Sequence, residues 1–213
     1  MLACLTDEKI SIIRHDLAIF TSEQFSQVAI ELIDLKQNGS EEINKAVSLI
    51  LKIGSSLIVG ANDLFAKGNA YAAAALVRQL VEVEYLAWAF ENDDNEARKW
   101  ICSDKDERMK FFAPAKLRKA AQGKFRSKDY GYHCELGGHP VPGAEVLLDN
   151  SMLQAQLLLS DMLGHSGRIW DHLVGWANAE IKKEPVLSRK DKMLKRYIAW
   201  KKADISTRLP PPP

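Results

Sequence analysis

Cysteine is scarce and scattered. Cys4, Cys102 and Cys134 are the only three in 213 residues, an odd number with no close pair, which excludes a disulfide framework and a cysteine-based zinc cluster. A reducing, cytoplasmic setting is expected. Long apolar runs are missing too: no stretch reaches the roughly 18 consecutive apolar residues of a membrane span. Asp7 and Glu8 stand where a signal peptide would need a basic start and an apolar core, so no membrane association is expected. Charge of one sign is absent overall, because 29 Lys and Arg face 28 Asp and Glu, and nothing global announces a nucleic-acid or membrane partner. Period-two alternation of the kind that marks a half-buried strand appears nowhere, and there is no internal repeat.

What is present is helical periodicity. From Asp7 to Gln37, the apolar residues Ile10, Ile13, Leu17, Phe20, Phe25, Val28, Leu32 and Leu35 recur every three to five positions, predicting one long helix or two with a break near Thr21. Asn38, Gly39 and Ser40 end that element and cap the next, which runs to about Ala66. A third helix, Ala70 to Phe90, is so rich in Ala, Leu and Val that it belongs at the centre of a bundle. A shorter helix follows from Glu96 to about Cys102, then an amphipathic piece interrupted at Pro114. Five glycines and two prolines between Gly123 and Gly143 predict one long irregular connection, with a turn or two around Tyr130 to Glu135. Loops of that length in compact domains often carry function. A long helix resumes from Glu145 to Ile181, and a final one covers about Ser188 to Lys202. The fold class is therefore all-α, a bundle of five to seven helices with one long irregular connection. Residues 1–205 read as a single helical domain and 206–213 as an extended proline-rich tail.

Charge is polarised along the chain. Between Arg108 and Lys128 lie eight basic residues and no acidic one, interleaved with Phe111, Phe112 and Phe125. Lys182 to Lys202 adds nine basic residues against two acidic, whereas residues 1–60 hold eight acidic and five basic. Cations release counterions from a phosphate backbone and rings offer stacking platforms for unpaired bases, so the first segment suits RNA. An ordinary solvated surface with Phe111 and Phe112 buried is the plainer alternative.

Polar side chains also interrupt the apolar helices. Tyr71, Arg78, Glu82 and Tyr85 share an arc of about 40 degrees on the third helix. Burying Arg and Glu is costly unless they pair, so Arg78 and Glu82 form either an i,i+4 core ion pair or the floor of a binding cleft. On the last long helix, Asp161, His165, Arg168 and His172 share an arc of about 60 degrees. Their alternatives are acid–base chemistry, a metal site, or packing in which Asp161 fixes the tautomer of His165. His165 and His172 span two turns, too far for adjacent ligands without help from another helix, and no metal and no cofactor are assigned. The densest chemistry lies from Tyr130 to Pro140, with His133, Cys134, Glu135 and His139. A nucleophilic Cys134 would need a base brought in by the fold, and His133, Cys134 and His139 lack a zinc signature.

Two stretches together carry a resemblance. The central helix has Leu76, Val77, Arg78, Gln79, Leu80, Val81, Glu82, Val83, Glu84 and Tyr85. Later come Tyr132, His133, Cys134, Glu135, Leu136, Gly137, Gly138, His139 and Pro140. The pair resembles the HEPN superfamily of all-helical bacterial proteins, including uncharacterised HEPN-like families linked with phage defence and toxin–antitoxin systems. The Arg-x6-His spacing from Arg126 to His133, with Ser127 after the Arg, is similar to the motif of HEPN ribonucleases. That resemblance implies metal-independent RNA cleavage at a homodimer interface, with an antitoxin or other protein as partner. His133 would withdraw the 2′-hydroxyl proton, Arg126 would contact phosphate, and Tyr130, Tyr132 or His139 would orient or donate. Members that have lost activity serve as binding modules. The second expectation is accordingly a non-enzymatic helical module that takes a small ligand or protein partner in a cleft lined by Arg78, Glu82, Tyr132, His139, His165 and Arg168.

Overall fold

The computed structural model describes residues 5–35, 40–125, 127–149, 151–178 and 183–208. Among these residues every regular element is helical. Nine α-helices have five residues or more: α1 (Glu8–Asp34), α2 (Glu41–Ala66), α3 (Ala70–Asn92), α4 (Asp94–Cys102), α5 (Pro114–Ala120), α6 (Ser127–His133), α7 (Glu145–Asp149), α8 (Ser151–Asn178) and α9 (Lys190–Ala203). Nine rather than seven arises because the middle of the chain is broken into short helices instead of being irregular. The expected long loop holds α6 and a wide π-type turn at Cys134–Gly138, since the glycines there serve close packing as well as turns.

Local chemistry sets the helix ends. The Asp7 carboxylate accepts from the Lys9 and Ile10 amides at the start of α1, and Asn69 accepts from Ala72 at the start of α3, satisfying amides that have no partner within the helix. α1 is continuous through Thr21, whose hydroxyl is buried against the Tyr197 hydroxyl at 3.1 Å. Ser40 makes no capping bond; Glu41 and Glu42 supply negative charge at that N-terminus instead. Gly68, with φ of 70°, makes the left-handed turn between α2 and α3.

Contacts fix the directions of the four long helices. Ser48 and Ser55 on α2 donate to the carbonyls of Ala29 and Ser22 on α1, so α1 and α2 are antiparallel. α3 returns alongside α2, with Gly54 facing Val83 and Gly60 facing Leu76. α8 runs parallel to α3, because Glu84 meets His165 and Glu91 meets His172. A chain leaving the end of α3 must therefore travel back along the bundle before α8 can begin, and the described residues between α3 and α8 make that crossover. Phe125 packs on Tyr85 and Trp88, Tyr130 reaches Arg78 and Glu82, and Gly137 touches Ala74. The crossover thus runs antiparallel down α3.

α3 is the central element, as its composition predicts. Ala70, Ala73, Ala74, Val77, Leu80, Val81, Ala87 and Phe90 are all buried. Its small residues allow close approach, and each large apolar side chain removed from water contributes about 1.5–3 kcal/mol. α2 is long and apolar enough to cross a membrane by length and composition, but half of that window is buried inside the bundle. α9 lies against α1. Its C-terminal Asp204 accepts from Arg14 Nε and Nη2 at 2.7 and 2.8 Å, with both side chains fully buried. The turn Ile205–Arg208 joins this network through Ser206, and residues 209–213 lie outside the described residues.

Candidate functional site

The arc predicted on α8 faces α3 and meets the crossover there. His165 is 3% and His133 2% exposed. Their Nε2 atoms stand 3.1 Å apart. Asp161 lies at the solvent edge, with Oδ2 3.2 Å from His133 Nε2 and Oδ1 3.7 Å from His165 Nε2. Behind them, Glu84 Oε2 is 2.6 Å from His165 Nδ1 and Glu84 Oε1 is 2.8 Å from Arg168 Nε.

These distances assign the protons. Arg168 Nη2 is 2.7 Å from His165 Nδ1, but if Nδ1 were an acceptor its lone pair would face a carboxylate oxygen at 2.6 Å. Nδ1 therefore carries hydrogen and donates to Glu84, which leaves a lone pair on Nε2 whenever the ring is neutral. Burial alone would raise the Glu84 carboxyl; hydrogen bonds and charge from His165 and Arg168 outweigh it and hold the group at about 2. Burial pushes His133 down to about 4, with the neighbouring His165 and Arg168 acting the same way and Asp161 opposing, so His133 is neutral at pH 7. Burial and the Asp161 charge push Tyr132, whose ring lies edge-on to His133, up to about 12. Two buried atoms in the cluster, His133 Nδ1 and Asp161 Oδ2, have no hydrogen-bond partner.

The other half of the expected cleft is a separate group. Arg78 Nη1 and Glu82 Oε1 pair at 3.0 Å, and the Tyr130 hydroxyl bridges them, accepting from Arg78 and donating to Glu82. These side chains are 26% and 33% exposed, a rim rather than a buried stripe, because α6 covers only part of that face. Arg118 stacks over the Tyr130 ring at 4.3 Å. His139 is exposed, beyond the Cys134–Gly138 turn, and Arg126 lies outside the described residues. Of the side chains assigned from sequence, the fold brings together His133, Tyr132, His165 and Arg168, and separately Arg78 and Glu82.

Glu84 anchors the cluster, yet sequence reasoning does not single it out. One signal for it exists: Glu84 and Glu91 on α3 step by seven, as do His165 and His172 on α8. Both Glu–His pairs form at 2.6 Å. His172 is thereby taken by Glu91, and the second imidazole beside His165 comes from His133.

The basic segment precedes His133 on the same crossover and touches α6 through Arg118 and Tyr130. Arg108, Lys110, Lys116, Lys119 and Lys124 are exposed. Phe111 is 52% exposed with Lys110 Nζ 5.0 Å from its ring centre, whereas Phe112 and Leu117 turn into the core. Comparison of the chain with protein-family models, with curated proteins and with solved structures finds no match in any of the three.

Proposed function

We propose that this helical protein binds single-stranded RNA through the basic segment beginning at Arg108 and acts on it at the His133 cluster. The observation that carries the reading is the Arg118–Tyr130 stack. It ties a cationic face bearing an exposed ring to the short helix that, three residues on, delivers His133 to Asp161 and His165. Exposed cations on the same segment as the exposed Phe111, with Lys110 beside its ring, fit a phosphate backbone with unstacked bases. A neutral imidazole beside a carboxylate at the solvent edge suits proton transfer at a phosphodiester. The reading agrees with the HEPN-like resemblance in target, and a role in defence or toxin systems with a protein partner remains part of it.

The test is fluorescence anisotropy of a labelled single-stranded RNA against salt, followed by a cleavage assay. Binding should weaken steeply with salt, and replacing Lys110, Lys116 and Lys119 by Ala should lower the slope by about 0.7 for each phosphate that is no longer neutralised. His133→Ala should bind RNA as wild type does and fail to cleave it. Equal affinity in the triple variant sinks the reading.

One observation favours a second reading, a non-enzymatic module for a small apolar ligand. Tyr85, Leu86, Trp100, Phe112 and Leu117 line a cavity of about 220 Å³ with Glu82 and Arg108 also on its wall. A ligand present at a hundred times its Kd would raise stability by about 2.7 kcal/mol, which a thermal-shift screen reads directly.

A further inference from the structure

We infer that His133, Asp161 and His165 form a binding site for one divalent transition-metal ion of the zinc or ferrous class. Each residue offers one donor atom, all within 4.8 Å of one another. The two Nε2 atoms are 3.1 Å apart, and Asp161 approaches them through different oxygens, Oδ2 at 3.2 Å from His133 and Oδ1 at 3.7 Å from His165. Ligands about 2.1 Å from a metal stand roughly 3.0 Å apart at an octahedral corner and roughly 3.4 Å apart in a tetrahedron. The imidazole pair thus already has the spacing of two neighbouring ligands, and a carboxylate oxygen of Asp161 lies close enough to complete one face of a coordination shell.

A hydrogen bond between the imidazoles accounts for less of what is seen. With His165 Nδ1 donating to Glu84, His165 Nε2 presents a lone pair, and His133 Nε2 has a single hydrogen to offer. If it goes to His165, Asp161 Oδ2 is left buried and without a donor, as observed, at an angle from His133 that makes no hydrogen bond. A cation at the common focus would take all three lone pairs at once and remove that cost. The surrounding shell is also of the kind metal-binding histidines use: Glu84 orients His165 through its far nitrogen, and Arg168 holds Glu84. Two imidazoles and one carboxylate select borderline transition metals over Mg²⁺ or Ca²⁺. Asp161, 39% exposed, sits where the ion would enter and where open positions for water or a phosphate oxygen would face solvent. Spacing along α8 pairs His165 with His172; the metal set takes His133 instead, from the crossover. The site stands whether or not the protein binds RNA, and with an ion bound His133 Nε2 would be its ligand rather than a proton acceptor.

The test is titration of chelator-treated protein with Co²⁺ read by visible absorption, with elemental analysis after Zn²⁺ loading. One saturable equivalent per chain is expected, together with a rise in thermal midpoint on adding Zn²⁺. Asp161→Asn lies at the solvent edge and should fold yet lose the Co²⁺ signal, as should His133→Ala. Glu84→Gln, a positioning change, should weaken binding about 10- to 100-fold, and His172→Ala should bind as wild type does. Absence of a saturable Co²⁺ signal in the wild type, or wild-type affinity in Asp161→Asn, overturns the inference. RNA binding that persists in Asp161→Asn while the cobalt signal disappears shows that the metal centre and the basic face are separate properties.

Discussion

Glu84 Oε2 and His165 Nδ1 lie 2.6 Å apart with both side chains only 4% exposed, and one heptad further along the same two parallel helices Glu91 and His172 repeat the contact at the same distance. The matched spacing locks the register of α3 against α8, since sliding either helix by one turn would separate both pairs. It also decides that the Nε2 edge of His165 faces the crossover.

Removing the Glu84 carboxylate should therefore cost stability as well as geometry. Glu84→Ala takes away hydrogen bonds to His165 and to Arg168; Arg168, half exposed, can return to water, whereas His165 cannot. A loss of about 1.5–3 kcal/mol is expected, measured by urea unfolding. Glu91→Ala, at a more open site, should cost clearly less. Equal losses would show that burial does not set the strength of the two pairs.

Arg14 and Asp204 should be the most costly pair to break. Both are fully buried, and Asp204 also accepts from the Trp200 indole and from Ser206. Leaving one charge without its partner costs about 3–5 kcal/mol, so Arg14→Met should unfold at much lower urea than wild type.

The same carboxylate gives a pH dependence of definite sign. Burial alone would raise Asp204; hydrogen bonds from Arg14, Ser206 and Trp200 and the Arg14 charge outweigh it and hold the carboxyl below its ordinary value. Its stabilisation is then fully present above the unfolded-state value of about 3.9 and is lost as pH falls through the lower folded value. The stability gap between wild type and Asp204→Asn should be constant from neutral pH to about 5 and shrink below about 4. A gap independent of pH would mean that the carboxylate charge plays no part.

Two glycines should respond to alanine in opposite directions. A Cβ at Gly137 would come within 2.5 and 2.6 Å of the Ala74 and Ala75 backbone, which cannot yield. Gly137→Ala should push the Cys134–Gly138 turn off α3, cost about 1–3 kcal/mol and disturb His133. A Cβ at Gly164 would meet only Arg168 Nη1, at an ordinary 3.5 Å. Gly164→Ala, inside α8, should stabilise by about 0.5–1 kcal/mol. Thermal unfolding of the two variants checks both.

Phe111 should matter to RNA and not to folding. Its ring is half exposed while Phe112 is in the core. Phe111→Ala should weaken single-stranded RNA binding by about 1–3 kcal/mol with an unchanged unfolding midpoint. Phe112→Ala should lower the midpoint. RNA affinity unaffected by Phe111→Ala would leave the basic segment as plain surface.

Much of the fold is legible from pattern alone. The ranges of the first three helices follow closely from apolar spacing, because the helical period acts within a few residues of chain. The shared arc of Asp161, His165 and Arg168 is likewise a consequence of helical pitch. The stretch around Tyr130 to His139 is harder to read. Its glycines look like loop signals, yet Gly137 is there because Ala74 leaves no room for a Cβ, a fact about a neighbour 63 positions away. Glu84 is hidden beside Glu82, since two carboxylates two residues apart look equivalent until one is turned toward α8 and the other toward α6.

The sequence by itself determined an all-helical chain, its long helices, a central α3 and a basic aromatic segment, because period, caps and composition are local properties. Only the tertiary structure decided that α8 lies parallel to α3, that the crossover must therefore run back down the bundle, and that His133 rather than His172 meets His165 and Asp161. Those are long-range choices, made by which faces bury together, and no spacing within a single helix encodes them.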